Sequence, residues 1–162
     1  MKEFTHLHVH TEYSVLDGAS KVDKLIERTK EAGMKAIAIT DHGNMFGVKV
    51  FHKTAKKNGI KPILGCEVYV ARGSRTEKMD KRDRGYHLVL LAKNREGYKN
   101  LVKMVSYAWT DGFYYNPRID KELLEKYHEN LIASSACLGG EVAQALMNKD
   151  VEEAKRVIAY YK

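Results

Sequence analysis

The chain has 162 residues, 44% of them hydrophobic and 30% charged, with a net charge of +7. That is long enough for one domain with its own core, and no run of about 18 apolar residues is present to cross a membrane as a helix. Two cysteines, Cys66 and Cys137, are too few for a disulfide framework, and no signal-peptide pattern opens the sequence, so the expected setting is a reducing cytoplasm with no membrane partner.

In chain order, residues 4–10 read as a first strand. His6, His8 and His10 alternate with Leu7 and Val9, and a period of two puts the three imidazoles on one face. A polar loop over 12–19 follows. Ser20 is the expected N-cap of a helix from about 21 to 32, with Leu25 and Ile26 on its inner face and Gly33 as its stop. The run 35–40 is small and apolar throughout, as in a strand buried on both faces, and it ends in Asp41-His42-Gly43-Asn44.

A helix to about Asn58 is closed by Gly59, and residues 62–70 form the third strand. The run 72–84 mixes charges of both signs without apolar periodicity. It reads as a solvated, mobile loop, with contact to phosphates as the rival reading. A fourth strand over 86–92 leads into a helix over about 95–109, with Tyr98, Leu101, Val102 and Val105 on one face. A turn-rich link spans 111–120, a short helix 121–129 and a fifth strand 131–137. After Gly139-Gly140, helices are expected over 141–147 and 151–162.

About five strand–helix repeats predict a parallel α/β architecture. An open doubly wound sheet that cradles a nucleotide is disfavoured, because neither G-x-G-x-x-G nor G-x-x-x-x-G-K-[ST] occurs. A complete (β/α)₈ barrel usually takes about 250 residues. A chain ending inside the periodic pattern Val151, Ala154, Val157, Ile158, Tyr161 is therefore expected to be the first part of something longer.

Most of the chemistry-bearing residues fall at or just past strand ends: His10, Asp41-His42, Glu67 and Cys137, with His87 the exception at the start of its apolar run; the candidates together are His8, His10, Asp17, His42, Glu67, His87 and Cys137. Taken singly, Asp17 reads as a turn residue, His87 as a satisfied core histidine and Cys137 as a buried thiol. Together they form a ligand set for Zn²⁺, Mn²⁺ or Fe²⁺, the thiolate favouring zinc. Seven donors exceed what one tetrahedral ion takes, so two or three ions are expected, with Glu67 or Asp17 able to bridge a pair. Paired metals suit phosphate-ester hydrolysis through a metal-bound water. Asp41 is expected behind the ligands, orienting an imidazole. Cys66 alternates with Glu67 and should be a small buried residue on the opposite face.

His8-x-His10, Thr40-Asp41-His42-Gly43, Gly65-x-Glu67 and His87 resemble the PHP (polymerase and histidinol phosphatase) superfamily. Several longer stretches are similar to the start of the bacterial DNA polymerase III alpha subunits: residues 6–18, 41–47, 65–70, 87–94, 112–115 and 135–138. The resemblance implies a distorted (β/α)₇ barrel, here its N-terminal part over 1–162. It also implies up to three metal ions, held at positions matching His8, His10, Asp17, His42, Glu67, His87 and Cys137. The family completes its site with a late Asp-x-His, and no such pair follows Cys137.

The implied partners are the remainder of the polymerase chain, a DNA primer-template and, in some members, a separate proofreading exonuclease. Two readings follow from the resemblance. One is a metal-dependent phosphoesterase serving 3′–5′ proofreading. The other is a silent structural or docking module of the same polymerase. A small-molecule phosphatase is the more distant third. The polymerase active site is expected beyond these 162 residues.

Overall fold

The computed structural model describes residues 4–81 and 83–162; the expectations for Met1–Glu3 and Arg82 lie outside the described residues. The described elements run, in chain order, α1 (Val22–Glu31), β1 (Ala36–Ile39), α2 (Val48–Lys57), β2 (Lys61–Val70), β3 (Tyr86–Ala92), α3 (Arg95–Thr110), β4 (Phe113–Tyr114), β5 (Asn116–Ile119), α4 (Lys121–Tyr127), β6 (Leu131–Ser134), α5 (Glu141–Met147) and α6 (Val151–Tyr161). The class is α/β as expected. The sheet, however, is mixed: β2 pairs parallel with β1 and β5 and antiparallel with β3, which in turn pairs antiparallel with β6.

Strand β2 is the spine. Its first half takes β1 in the register Ala38↔Ile63, and its second half takes β3 in the register Glu67↔Val89 and Tyr69↔His87. Period two then sorts the side chains. Cys66, Val68, Leu88 and Leu90 face one way, into a core with Leu101, Met104, Val105 and Ala108 of α3 and Leu123 and Leu124 of α4. Val89 and Leu91 fall in a separate cluster with Ala38, on the face that Glu67 and His87 share by alternation. A second core ties Val22 and Ile26 of α1 and Val48, Phe51 and Ala55 of α2 to Ile37 and Ile39 of β1.

The reversal of β3 resolves the odd placement of His87. In an antiparallel partner the beginning of the strand lies beside the end of its neighbour. His87 therefore stands at the same end of the sheet as Glu67 and Tyr69. Strand β6 reverses again and delivers Cys137 to that end.

Four other expectations change. Residues 4–10 form no regular strand. Ala38 N–H donates to His6 O (2.9 Å) and Thr40 N–H to Val9 O (2.8 Å), so three steps on one segment match two on the other and the ladder breaks. Ser20 does not cap α1. It sits in an isolated bridge with Thr11, while the Glu12 carboxylate accepts the Val22 N–H at 3.3 Å. The turn-rich link over 111–120 contains the hairpin β4–β5, turned at Tyr115 with φ 61°. Strand β6 stops at Ser134 rather than 137, and Ala136 at φ 58° turns the chain.

The charged run is exposed over most of residues 72–81, as expected, and is tied to the sheet at Arg75, Glu77 and Asp83. Arg118 of β5, with no exposed surface, donates to Asp83 Oδ2 (2.8 Å) and to the carbonyls of Asp83, Arg75 and Glu77 (3.3, 3.1 and 2.7 Å). Arg75 in turn reaches both oxygens of Asp120, the N-cap of α4, at 3.1 and 3.0 Å. A planar cation with a rigid fork of donors can satisfy several acceptors at once, and this one stitches the run to the sheet.

Candidate metal centre

Glu67 is the centre of the site. It is 1% exposed, and its carboxylate lies within 3.6 Å of four imidazoles. Oε2 lies 2.6 Å from His10 Nε2, 3.2 Å from His8 Nε2 and 3.6 Å from His42 Nδ1; Oε1 lies 2.6 Å from His87 Nδ1. Asp17 adds a second carboxylate, its Oδ2 2.8 Å from His10 Nδ1 and 3.2 Å from His42 Nε2. Cys137 Sγ lies 3.4 Å from His87 Nδ1 and 4.0 Å from Glu67 Oε1. All seven residues singled out in the sequence thus meet at one end of the sheet. His6, the third histidine of the alternating run, is exposed and packs edge-on against Phe4 at 4.8 Å between ring centres.

Thr40, Asp41, Thr11 and Ser14 position several of these side chains. The Thr40 hydroxyl, buried at the end of β1, accepts the Val9 N–H (3.0 Å), reaches Val9 O (3.3 Å) and meets His8 Nδ1 at 2.9 Å. That contact orients the ring so that His8 Nε2 faces Glu67 Oε2 at 3.2 Å. Asp41, 2% exposed, does not hold an imidazole. Its carboxylate accepts from Thr11 N–H (2.6 Å), Thr11 Oγ1 (2.7 Å) and Ser14 Oγ (2.8 Å), while Ser14 Oγ accepts the His42 N–H at 3.1 Å. Asp41 therefore builds the 11–14 turn that carries Asp17 back to His10. Gly18 closes that turn so tightly that a Cβ on it would lie 1.8 Å from Thr11 O.

Cys66 is fully buried and its thiol donates to Asp41 O at 3.3 Å; burial pushes that thiol well up, and the charges of Asp41 and Glu67 push the same way, so it stays protonated. Burial also opposes ionisation of Glu67, but hydrogen bonds from His8 and His87, the charge of His42 and a bond from His10 outweigh it and hold the carboxyl far below its usual range. For His10 burial again opposes charge, and the bonds to Glu67 and Asp17 prevail and raise it. Asp17 is lowered by His10 and His42 against its own desolvation.

These donors fit divalent cations. Three overlapping groups have ligand atoms within 4.8 Å of one another: His8, His10 and Glu67; His10, Asp17 and His42; and His42, Glu67 and His87. His42 Nδ1 is buried without a hydrogen-bond partner, although Glu67 Oε2 is 3.6 Å away. A divalent cation held between them would satisfy both groups, and an imidazole–carboxylate set is the usual home of such a cation.

Residues outside the ligand set complete the wall. Tyr69 stacks on His42 (5.9 Å between ring centres, 16° between planes), and burial, then the charge of Glu67, pushes its hydroxyl up to about 12. Gly43, at φ 59°, carries the backbone past it: a Cβ there would lie 2.6 Å from Pro117 Cγ and 3.0 Å from Tyr69 Cε2. Gly43→Ala is expected to cost about 1–3 kcal/mol of stability and to weaken metal binding by displacing Tyr69 and His42, as read by thermal melting and metal titration.

A family model described as the PHP domain matches residues 6–162. Over 161 residues the chain is 52% identical to the DNA polymerase III subunit alpha of Borreliella burgdorferi, covering 98% of this chain and 14% of that protein. It is 49% identical over 170 residues to the same subunit of Helicobacter pylori strain J99, and 46% identical over 168 residues to that of Aquifex aeolicus; each alignment covers 99% of this chain and 14% of the relative. The chain thus spans about one seventh of the length of these relatives. On the match of the family model to nearly its whole length, and on the sequence motifs that meet around Glu67, the chain belongs to the PHP domain family.

Proposed function

We propose that this chain is the PHP domain of a bacterial replicative DNA polymerase, the alpha subunit of DNA polymerase III, acting in the cytoplasm. We assign to its histidine–carboxylate cluster a metal-dependent phosphoesterase activity used for 3′–5′ proofreading. The observation that carries this reading is Glu67: a buried carboxylate ringed by four imidazoles, with a second carboxylate two contacts away through His10. His8, His10, Asp17, His42, Glu67, His87 and Cys137 would hold two or three ions of the zinc, manganese or iron class. Bound there, such ions supply Lewis-acid polarisation of a phosphoryl group and a nucleophile at neutral pH.

The protein's own part is to fix the donors. Thr40 sets the direction of His8, and Asp17 that of His10 and His42. The Asp41–Thr11–Ser14 bonds lock the turn that presents Asp17. Glu67, held ionised from below, stays a ligand across the physiological pH range. The remainder of the polymerase chain and its primer-template are the partners in this reading.

The test uses the purified full-length alpha subunit without any separate exonuclease. Release of a labelled primer-terminal nucleotide should require added divalent metal and fall at least 100-fold in His42→Ala, with primer extension retained. Equal release by wild type and His42→Ala would overturn the assignment. Metal-dependent stabilisation without release would instead favour a module that supports the polymerase core or docks a separate exonuclease.

A further inference from the structure

Beside the metal centre runs a cleft of about 620 Å³ that Asp17, His42 and His87 help to line. One wall is a row of three aromatic rings. Trp109 is 43% exposed, and its Nε1–H donates to Gly43 O at 2.8 Å, which fixes the indole one residue from His42. Phe113 stacks on it at 5.5 Å with 21° between planes, and Phe46 adjoins it at 6.0 Å and 40°. Phe46 and Phe113 are 65% and 45% exposed. Val15 and Leu16 line the same cleft and are almost wholly exposed. Rings so organised and so open are not core packing, and contiguous exposed apolar surface marks an interaction site.

The cationic side lies next to it. Arg84 stacks its guanidinium over Tyr115 at 4.5 Å, and Tyr115 lines the same cleft. Arg84 also borders a smaller cavity of about 190 Å³ with Arg72 and Gln144, and His87 is common to both cavities. Flat ring faces, the metal ligands and two arginines therefore follow one another across the surface. An apolar protein segment would leave the guanidinium groups and the ligand cluster unmatched. A single nucleic-acid strand supplies bases for the rings and phosphates for the arginines and the metal centre.

We propose that Phe46, Trp109 and Phe113 form a base-stacking subsite that takes the unpaired terminal bases of a single nucleic-acid strand, with Arg84 holding its phosphates, so that the strand end reaches the Glu67 cluster. This deepens the phosphoesterase reading of the same site and rests on it. The subsite selects unpaired bases, because a base still stacked in a duplex offers no free face to the indole. It also sets a preference for nucleic-acid ends over small phosphomonoesters.

Trp109 is the one tryptophan of the 162 residues, so its fluorescence reports the subsite directly. The chain is titrated, with chelator present, against decathymidylate and against an abasic decamer of the same charge. Decathymidylate should quench Trp109 and the abasic strand should not. Phe113→Leu and Phe46→Leu keep an apolar body and remove the ring; each should weaken binding on the order of tenfold. In both variants the rise in melting temperature with Mn²⁺ should persist, which shows that the fold and the metal centre are intact. Equal binding of the two decamers would overturn the proposal in favour of charge alone. Absence of quenching by decathymidylate would overturn it in favour of a surface covered by protein. Quenching without any metal-dependent shortening of the strand would sink the phosphoesterase reading and leave the stacking subsite standing.

Discussion

Glu67→Gln is expected to remove most of the thermal response of the chain to divalent metal. A ligand at 100 times its dissociation constant stabilises a native state by about 2.7 kcal/mol, which for a domain of this size raises the melting temperature by about 5–10 °C. Glu67 is shared by two of the three candidate ligand groups and lies 3.6 Å or less from four imidazoles. Partners that merely orient a ligand cost about 10–100-fold in affinity when lost. Losing the shared carboxylate should cost at least the upper figure. At the same metal concentration the stabilisation then drops to about 0.4 kcal/mol, or about 1 °C. Cys66→Ala, altering the neighbour on the opposite face of β2, should leave the metal response in place. An undiminished response in Glu67→Gln would mean that metal binds elsewhere.

Arg118→Ala is expected to be the most destabilising single change outside the metal cluster. Arg118 is fully buried and donates to one carboxylate and four carbonyls, those of Asp83, Arg75, Glu77 and Gly112. Removing one partner of a buried ion pair costs about 3–5 kcal/mol, because the other charge stays behind without compensation. The melting temperature should fall by on the order of 10 °C, and amide exchange should rise in residues 72–81 before it rises in the sheet. Arg118→Lys should recover only part of the loss, since an ammonium cannot span acceptors arranged for a planar fork. A neutral result for Arg118→Ala would show that Arg75, Glu77 and Asp83 are held by something other than this cation.

The grouping of His8, His10 and Glu67 was legible in the sequence because these residues obey short-range rules. His8 and His10 are two apart, and Glu67 alternates with a small apolar Cys66, so period two assigns faces without knowledge of the fold. Even the slipped register of residues 6–9 against 38–40 keeps both histidines on Glu67. What stayed hidden depends on strand direction and long-range contact. Nothing local in residues 86–92 says that β3 runs antiparallel, and for that reason His87 stood out as misplaced. Arg118 sits in a stretch of turn residues, and its burial depends on carbonyls more than thirty positions away. The hairpin turns at a tyrosine rather than at the Asn-Gly or Asp-Gly pair that announces such turns. Asp41 was expected to orient a ligand imidazole. Adjacent residues on an extended chain point apart, and its carboxylate went to Thr11 and Ser14 instead.

The measurement that bears most directly on the central claim is metal content per chain, by elemental analysis after exhaustive buffer exchange and after incubation with Zn²⁺ or Mn²⁺. The geometry around Glu67 predicts about one or more tightly held equivalents, falling sharply when His8 and His42 are both changed to alanine. A cooperatively folded chain that retains no metal under any of these conditions would contradict it, and the cluster would then be a hydrogen-bonded polar network rather than a metal centre.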